Sequence, residues 1–240
     1  MYKPETIKKL IRLYNEKKAD FEKMDIHQLA KIFSISTGNT KIGHTLNVSL
    51  MPIITCHNCG ECKNYCYDIK ACVFHTNTTL IARIKNTVLL KRDRDLYFDL
   101  IDGKCSRRRT NKYFRRHVAG DILDADYFER MINIARKHDD FIFWTYTKNY
   151  SIVNQYVAEH GNNRKTSIPS NFHIMFSEWD GTPLDNPFSF PTFTVKMTAG
   201  NKNHDSEFFD SLYQCPGNCD ICKNGNMGCI GGMDTFVNEH

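Results

Sequence analysis

Residues 141–146 form the run FIFWTY, an apolar and aromatic stretch with the length and composition of one buried β-strand. A helical repeat of apolar residues precedes this run over 124–137, and another follows it over 150–159. Two further strand candidates lie at 113–118 and 172–176. Strands that alternate with helices of these lengths indicate a mainly parallel sheet with right-handed crossovers. We therefore predict an α/β fold, a partial or complete βα barrel of the TIM type, with an open doubly wound sheet as the alternative.

The chain on either side of this alternation extends the same pattern. A strand over 42–50 ends at Pro52 and leads into a cysteine-rich loop, and a long helix follows over 80–101. Towards the C-terminus, residues 190–196 have the pattern of a last strand. The sheet is therefore expected to deliver the first cysteines from the end of an early strand.

Three segments describe the predicted organisation. Residues 1–40 form an N-terminal helical cap, because apolar residues recur at helical spacing after Pro4. Residues 41–200 form the βα barrel-like core, and residues 201–240 form a C-terminal cysteine-rich segment.

Composition favours a single folded domain. The chain has 240 residues, of which 41% are hydrophobic and 25% charged, and its formal charge is +5. That charge is compatible with a nucleic-acid partner or an anionic small-molecule cofactor and demands neither. Since no stretch resembles a membrane span or a secretory signal, we expect a cytoplasmic protein without membrane contact. Ten cysteines in a reducing compartment indicate metal or redox chemistry rather than disulfides.

The first cysteine set has the spacing C-x2-C-x2-C-x3-C and consists of Cys56, Cys59, Cys62 and Cys66. This is the spacing of bacterial ferredoxins, except that Tyr67 stands where they have proline. Four thiolates in one short loop repel one another unless a cation neutralises them. An iron–sulfur cluster is the preferred interpretation, and zinc or four free thiols are the alternatives.

The second cysteine set consists of Cys215, Cys219, Cys222 and Cys229. Its C-x3-C-x2-C core has the spacing of the radical S-adenosylmethionine signature, in which three thiolates bind a [4Fe-4S] cluster and leave one iron open. Cys229 would supply a fourth ligand and close the site. Zinc sites use comparable spacings, so iron–sulfur and zinc both remain open for this set.

Polar residues follow three of the predicted strands: Gly120, Asp121, Thr147, Lys148, Ser177 and Glu178. The carboxyl ends of parallel strands share one edge of a sheet, so these side chains are expected to meet there. Asp121 and Lys148 are the candidates for proton transfer, and the group could bind an amino-acid-bearing cofactor. The alternative is structural: Asp121 or Asp124 caps the next helix, and Lys148 pairs with a neighbour.

Two basic stretches add candidate anion contacts. Arg115, Arg116 and His117 alternate along one strand, so Arg116 should face away from its neighbours. Arg115 and His117 would then line a barrel mouth and bind phosphate or carboxylate, unless the strand is an edge in water. The turn 107–109, of three arginines, would serve a nucleic-acid partner.

The motifs in order are Ser49-Leu50 with Pro52, the run from Cys62 to Tyr67, Arg116, Gly120-Asp121, Tyr146-Thr147-Lys148 and the terminal cysteines. This order resembles the phage gene-product-88 family, from about residue 40 to residue 230. The resemblance implies a compact relative of the radical S-adenosylmethionine barrels with iron–sulfur ligation, and it supplies no reaction. The residues that match the family's motifs are Cys56, Cys62, Cys66, Gly120, Asp121, Thr147 and Lys148.

Two functions follow from the resemblance and the spacings together. In the first, a phage-encoded enzyme acts in the host cytoplasm with one or two [4Fe-4S] clusters, and Arg116, Gly120, Asp121, Thr147, Lys148 and Ser177 bind S-adenosylmethionine. Cys59 as a fourth ligand would block that cofactor from the open iron. In the second, a non-catalytic iron–sulfur or zinc module binds nucleic acid or a protein partner. Electron transfer between the two cysteine sets is a third possibility.

Overall fold

The structure, a computed structural model, describes residues 4–107, 110–179 and 183–239. Its helices are α1 (Pro4–Lys23), α2 (Ile26–Lys31), α3 (Tyr67–Phe74), α4 (Thr79–Arg92), α5 (Arg94–Arg107), α6 (Ala125–Lys137), α7 (Tyr150–Glu159), α8 (Arg164–Ser167), α9 (Ser206–Asp210) and α10 (Cys219–Gly225), with 3-10 turns at Gly60–Asn64 and Gly228–Gly231. Its strands are β1 (Leu46–Val48), β2 (Tyr113–Arg116), β3 (Ile142–Thr147), β4 (Phe172–Glu178), β5 (Thr192–Lys196), β6 (Tyr213–Gln214) and β7 (Thr235–Asn238).

The strands form one parallel sheet in the order β1-β2-β3-β4-β5-β7-β6. The prediction of a parallel α/β fold is confirmed. A complete barrel is wrong for the described residues, because β1 and β6 stay at opposite edges and the sheet is open. The open sheet of the alternative prediction is confirmed, although the strand order from β1 to β5 does not reverse as it does in a doubly wound sheet. The C-terminal cysteine-rich segment contributes β6 and β7 to this same sheet.

The two faces of the sheet are covered by different parts of the chain. Right-handed crossovers that always step in one direction place their helices on one face, here called the helix face. Alternate residues of β3 show the division, since Phe143 belongs to the large core on the helix face and Trp144 to a smaller core on the opposite, inner face. The smaller core consists of Trp144, Met175, Cys222, Cys229 and Ile230. The C-terminal segment therefore fills the inner face.

The predicted helix over 80–101 is two helices that meet at Asp93. The backbone of Asp93 is extended, and its Oδ1 accepts a hydrogen bond from the Leu96 amide at 2.9 Å. An aspartate in this position satisfies a donor at the start of a new helix, so α5 begins in a new direction. The apolar repeat is the same on both sides of the break, which is why periodicity alone predicted one helix.

The loops after β1 and β2 are tied together, and this places the first cysteine set. The amide of Leu50 donates to the carbonyl of Ala119 at 2.9 Å. Gly120 has φ +92°, and a Cβ there would lie 2.8 Å from Leu50 Cβ and 2.9 Å from Thr55 Oγ1. Only glycine fits such a close approach at positive φ. β1 therefore delivers the cysteine loop to the residues that follow β2, as predicted, although the strand is shorter than 42–50.

No helix in the described residues is long and apolar enough to cross a membrane. Of the predicted basic turn, Arg107 ends α5, and Arg108 and Arg109 lie outside the described residues.

Candidate functional site

Three cysteines of the first set come together at the carboxyl edge of the sheet. Burial is the main cause that raises the pKa of Cys56 to about 12, and the charges of Asp121, Cys66 and Cys62 contribute to this rise. Burial likewise raises the pKa of Cys66 to about 12, with Cys62 the next cause. Cys59 is partly buried and immediately precedes the 3-10 turn. The structure thus groups Cys56, Cys62 and Cys66 beside a buried carboxylate.

Contacts from three strand ends hold the loop of the first set. The Tyr67 hydroxyl donates to the carbonyl of Val118, after β2, at 2.6 Å. Asn58 donates its side-chain amide to Asn149, after β3. The ring of Tyr65 packs on Trp179, after β4, with centroids 5.6 Å apart. The loop therefore covers the edge at which β2, β3 and β4 end.

Asp121 is a buried acceptor whose lone pairs are directed at the turn after β3. Its Oδ1 accepts from Thr147 Oγ1 at 2.6 Å and from the Ile122 amide at 2.7 Å, and its Oδ2 accepts from the Lys148 amide at 3.0 Å. Burial raises its pKa, against these hydrogen bonds and the charge of Lys148. It does not cap α6, because Asp124 accepts from the first turn of that helix instead. Asp121 thus fixes the position from which Lys148 extends.

Lys148 projects over the same edge. Its ammonium donates to Ser177 Oγ at 3.2 Å and lies 5.7 Å from the centroid of the Trp179 ring. The structure therefore brings together Asp121, Thr147, Lys148 and Ser177, with Gly120 in the adjoining loop, as the strand-end argument predicted. The aromatic partner Trp179 was missed, because an isolated tryptophan after a strand has no sequence signature.

Glu178 does not join this group. Its Oε1 pairs with His204 Nε2 at 2.7 Å, and its Oε2 accepts from Thr194 Oγ1 at 3.1 Å. Both oxygens are engaged away from Lys148, in agreement with a structural role. No sequence pattern predicted His204, which meets Glu178 through packing of the segment before α9.

Arg116 lies on the helix face and not at the edge where the other candidates meet. It is 1% exposed, and its guanidinium carbon lies 5.5 Å from the ring centroid of Phe98 and 5.4 Å from that of Phe114. The expected alternation is confirmed for Arg115, which lies on the inner face. The prediction is wrong for His117. Its φ of +59° ends the strand, and its Nε2 lies 2.8 Å from the hydroxyl oxygen of Tyr127. Arg115 and His117 therefore do not share a face.

The four cysteines of the second set line one small cavity on the inner face. Its volume is about 20 Å³, and its lining residues are Trp144, Tyr146, Tyr213, Cys215, Asn218, Cys219, Cys222, Gly228, Cys229, Ile230 and Thr235. Burial raises the pKa of Cys229 to about 12, and the pKa values of Cys219 and Cys222 are also raised mainly by burial. Cys215 acts electrostatically on all three. The spacing in sequence therefore corresponds to one cluster in space.

Local structure makes room for these four thiols. Asn218 starts α10 by accepting a hydrogen bond from the Asp220 amide at 2.9 Å, which sets Cys219 and Cys222 on one helix. Gly228 has φ +54°, and a Cβ there would lie 2.9 Å from the Tyr213 ring and 3.6 Å from Cys222 Sγ. The close packing of the Tyr213 ring on this turn therefore depends on a residue without a side chain.

Arg115 lies on the inner face beside the second cysteine set. Its guanidinium carbon is 4.7 Å from the ring centroid of Tyr146, and its charge lowers the pKa of Cys219 and of Cys229 against the effect of burial. It also acts on Tyr67, the residue that follows the last cysteine of the first set. One cation thus acts on the second set and on a residue adjacent to the first.

The donor chemistry of both sets fits a thiophilic metal. Within the described ranges, no three or more His, Cys, Asp or Glu side chains are already arranged to hold a metal ion. Thiols with raised pKa values are neutral, and neutral thiols have no reason to converge on a common point. A bound cation reverses this, because a coordinating thiol loses its proton. The two sets are therefore candidate metal ligands by their chemistry, and their side chains are not preassembled around an ion.

A model of one protein family, described as gene product 88, matches residues 8–183. The chain belongs to the gene product 88 family. The match starts earlier than expected from the motifs, includes the first cysteine set with Asp121 and Lys148, and ends before the second set. No curated protein matches the chain. No solved structure matches it either.

Proposed function

We propose that this gene product 88 protein is an iron–sulfur enzyme of the radical S-adenosylmethionine type. Cys56, Cys62 and Cys66 are assigned to one [4Fe-4S] cluster, and Lys148 and Ser177 to the cofactor. The observation that supports this most is the meeting of three thiols with Asp121 and the Lys148–Ser177 pair at one edge of a parallel sheet. This edge is where α/β proteins of this topology place their ligands.

Lys148 is the best-placed group to contact a cofactor. An ammonium has three donors, and Ser177 accepts one of them. The others suit the carboxylate of an amino-acid moiety, and the nearby Trp179 ring offers a flat apolar contact. Asp121, proposed at first as catalytic, is better assigned as a positioning residue, because its hydrogen bonds hold the turn that carries Lys148.

A cluster held by three thiolates keeps one iron open and, with S-adenosylmethionine, supplies reductive cleavage chemistry. The electrostatic grouping of Cys56, Cys62 and Cys66 supports a three-ligand site. Cys59 precedes the 3-10 turn and is assigned no ligand role in this proposal.

The test is anaerobic purification and reconstitution, followed by visible absorption and an assay for 5′-deoxyadenosine. We expect a brown protein that releases 5′-deoxyadenosine on reduction, and a Lys148→Gln variant that keeps its iron and loses most of this activity. An intact, reduced cluster without cleavage would contradict the enzyme. Colourless protein that takes up no iron would contradict the iron–sulfur assignment itself.

The alternative is a non-catalytic metal module that binds nucleic acid, and one surface favours it. α3 follows the first cysteine set and exposes Tyr67 (53%), Lys70 and Phe74 (70%) on one side. Exposed aromatic rings beside a basic residue suit stacked bases and phosphate. Binding of a fluorescent single-stranded oligonucleotide should weaken as salt rises and should weaken further in Phe74→Ala. Binding that is indifferent to both would exclude this role.

A further inference from the structure

The second cysteine set encloses a space the size of one ion. The cavity has a volume of about 20 Å³, and about 10–15 Å³ is enough to hold a single water molecule. A [4Fe-4S] cluster places four iron and four sulfide atoms between its thiolates, so the space between the side chains as placed is closer in size to a single ion. The remaining walls are largely apolar, with Tyr146 and Ile230 among them.

Two buried hydrogen-bond donors beside this cavity have no acceptor. Trp144 lines the cavity and is fully buried, and its indole nitrogen has no hydrogen-bond partner in the part of the chain that the structure describes. The same holds for Nε of Arg115, whose charge acts on Cys219 and Cys229. Buried donors without acceptors are rare and costly. Thiolate sulfurs in the cavity would accept from such donors, whereas neutral thiols are weak acceptors.

We propose that Cys215, Cys219, Cys222 and Cys229 bind a single divalent, thiophilic ion of the zinc class in a closed tetrahedral site. Four thiolates are a ligand set of structural zinc and leave no open position for a substrate. Ion and thiolates together carry a net charge of about −2, which Arg115 partly offsets. This inference goes beyond the iron–sulfur function of the first set and does not depend on it.

The ion joins three elements of the C-terminal segment. Cys215 follows β6, Cys219 and Cys222 lie on α10, and Cys229 lies in the second 3-10 turn. The thiols line the cavity without a preassembled ligand geometry, so binding requires rotation of cysteine side chains between staggered rotamers while the backbone stays in place. The bound ion then fastens this segment over Trp144 on the inner face.

Metal counting on full-length variants tests the proposal. Wild type, Cys222→Ser and Cys66→Ser are purified without oxygen, and zinc, iron and sulfide per chain are measured. We expect one zinc in the wild type and in Cys66→Ser, and about tenfold less or lower in Cys222→Ser. The assignment is overturned if Cys222→Ser keeps its zinc. It is also overturned if this variant loses iron and sulfide and not zinc. The iron count in the same samples tests the first set separately.

A second measurement uses the wild-type chain and does not depend on the folding of a variant. Zinc is exchanged for cobalt, and amide hydrogen exchange is followed before and after chelation. We expect the absorption of tetrahedral cobalt thiolate, and faster exchange after chelation confined to α10 and the turn Gly228–Gly231. Absence of the cobalt bands, or equal exchange in both states, would show that no ion closes this cavity.

Discussion

The two cysteine sets use the same residue type at similar spacings, yet their surroundings differ in kind. The first set lies on a loop at the carboxyl edge of the sheet, beside the buried Asp121 and near Lys148, within the residues that match the family model. The second lies after those residues, on the inner face, among aromatic side chains and around a cavity of about 20 Å³. Spacing alone predicts metal ligands in both sets. Position on the sheet favours an open, reactive site for the first and a closed, structural site for the second.

The largest expected effect concerns which thiols of the first set bind iron. Cys62→Ser should remove most of the iron, about tenfold or more, whereas Cys59→Ser should keep nearly all of it. The reason is that Cys62 acts electrostatically on both Cys56 and Cys66, whereas Cys59 lies before the 3-10 turn that carries Cys62. Iron and sulfide analysis of the two variants shows which of the two thiols is needed for iron binding. If Cys59→Ser loses as much iron as Cys62→Ser, the first set is a closed four-ligand site, and the contrast with the second set disappears.

At each cysteine set, one glycine tests the close packing and a second glycine serves as its control. Gly228→Ala should lower the free energy of unfolding by about 3 kcal/mol, because the new methyl group meets the Tyr213 ring at 2.9 Å at a positive φ. Gly217→Ala is the matched control, since it has φ +75° and nothing within 4 Å, and should cost about 1 kcal/mol. For the first set, Gly120→Ala is the test variant and Gly161→Ala is its control, because Gly161 also has a positive φ and nothing within 4 Å.

Urea unfolding of the four glycine variants provides the measurement. Equal losses within each pair would mean that the backbone conformation alone matters and that neither set depends on close approach.

A pH dependence should arise away from both cysteine sets. Burial lowers the pKa of His117 from 6.5 to about 3, so the folded protein keeps this imidazole neutral. Its contribution to stability is present above pH 6.5 and is lost as pH falls towards 3, by about 2 kcal/mol between pH 8 and pH 5. His117→Asn, which tolerates the positive φ, should remove that part of the slope. A variant with the wild-type slope of unfolding energy against pH would place the titration elsewhere.

The smallest expected effect distinguishes the binding of S-adenosylmethionine from the ligation of iron at the first set. Lys148→Gln should weaken the affinity for S-adenosylmethionine about tenfold through the loss of one charge-assisted hydrogen bond. Zinc at the second set should not change. Isothermal titration of the reconstituted protein measures the affinity, and Lys165→Gln, on α8, serves as a surface control. An unchanged affinity would remove Lys148 from the cofactor site.

Most of the correct predictions of helices, caps and strands follow from local patterns in the sequence. α7 was predicted with its observed ends, Asp124 was one of two residues named as a cap of α6, and the strands β2 to β4 were predicted from their local sequence patterns. The edge group of Asp121, Lys148 and Ser177 followed from the rule that parallel strands end together. The break at Asp93 was missed because an N-cap within an unbroken apolar repeat leaves the periodicity unchanged.

The amino-acid sequence by itself determined the α/β class, the two cysteine sets and the polar residues at the strand ends, because spacing and periodicity are local properties of the chain. Only the tertiary structure decided that the sheet stays open, that Arg116 is buried on the helix face, and that the second set fills the inner face. These outcomes depend on which distant surfaces pack together. Packing sums many weak contacts between residues far apart in the chain, and no local pattern encodes that sum.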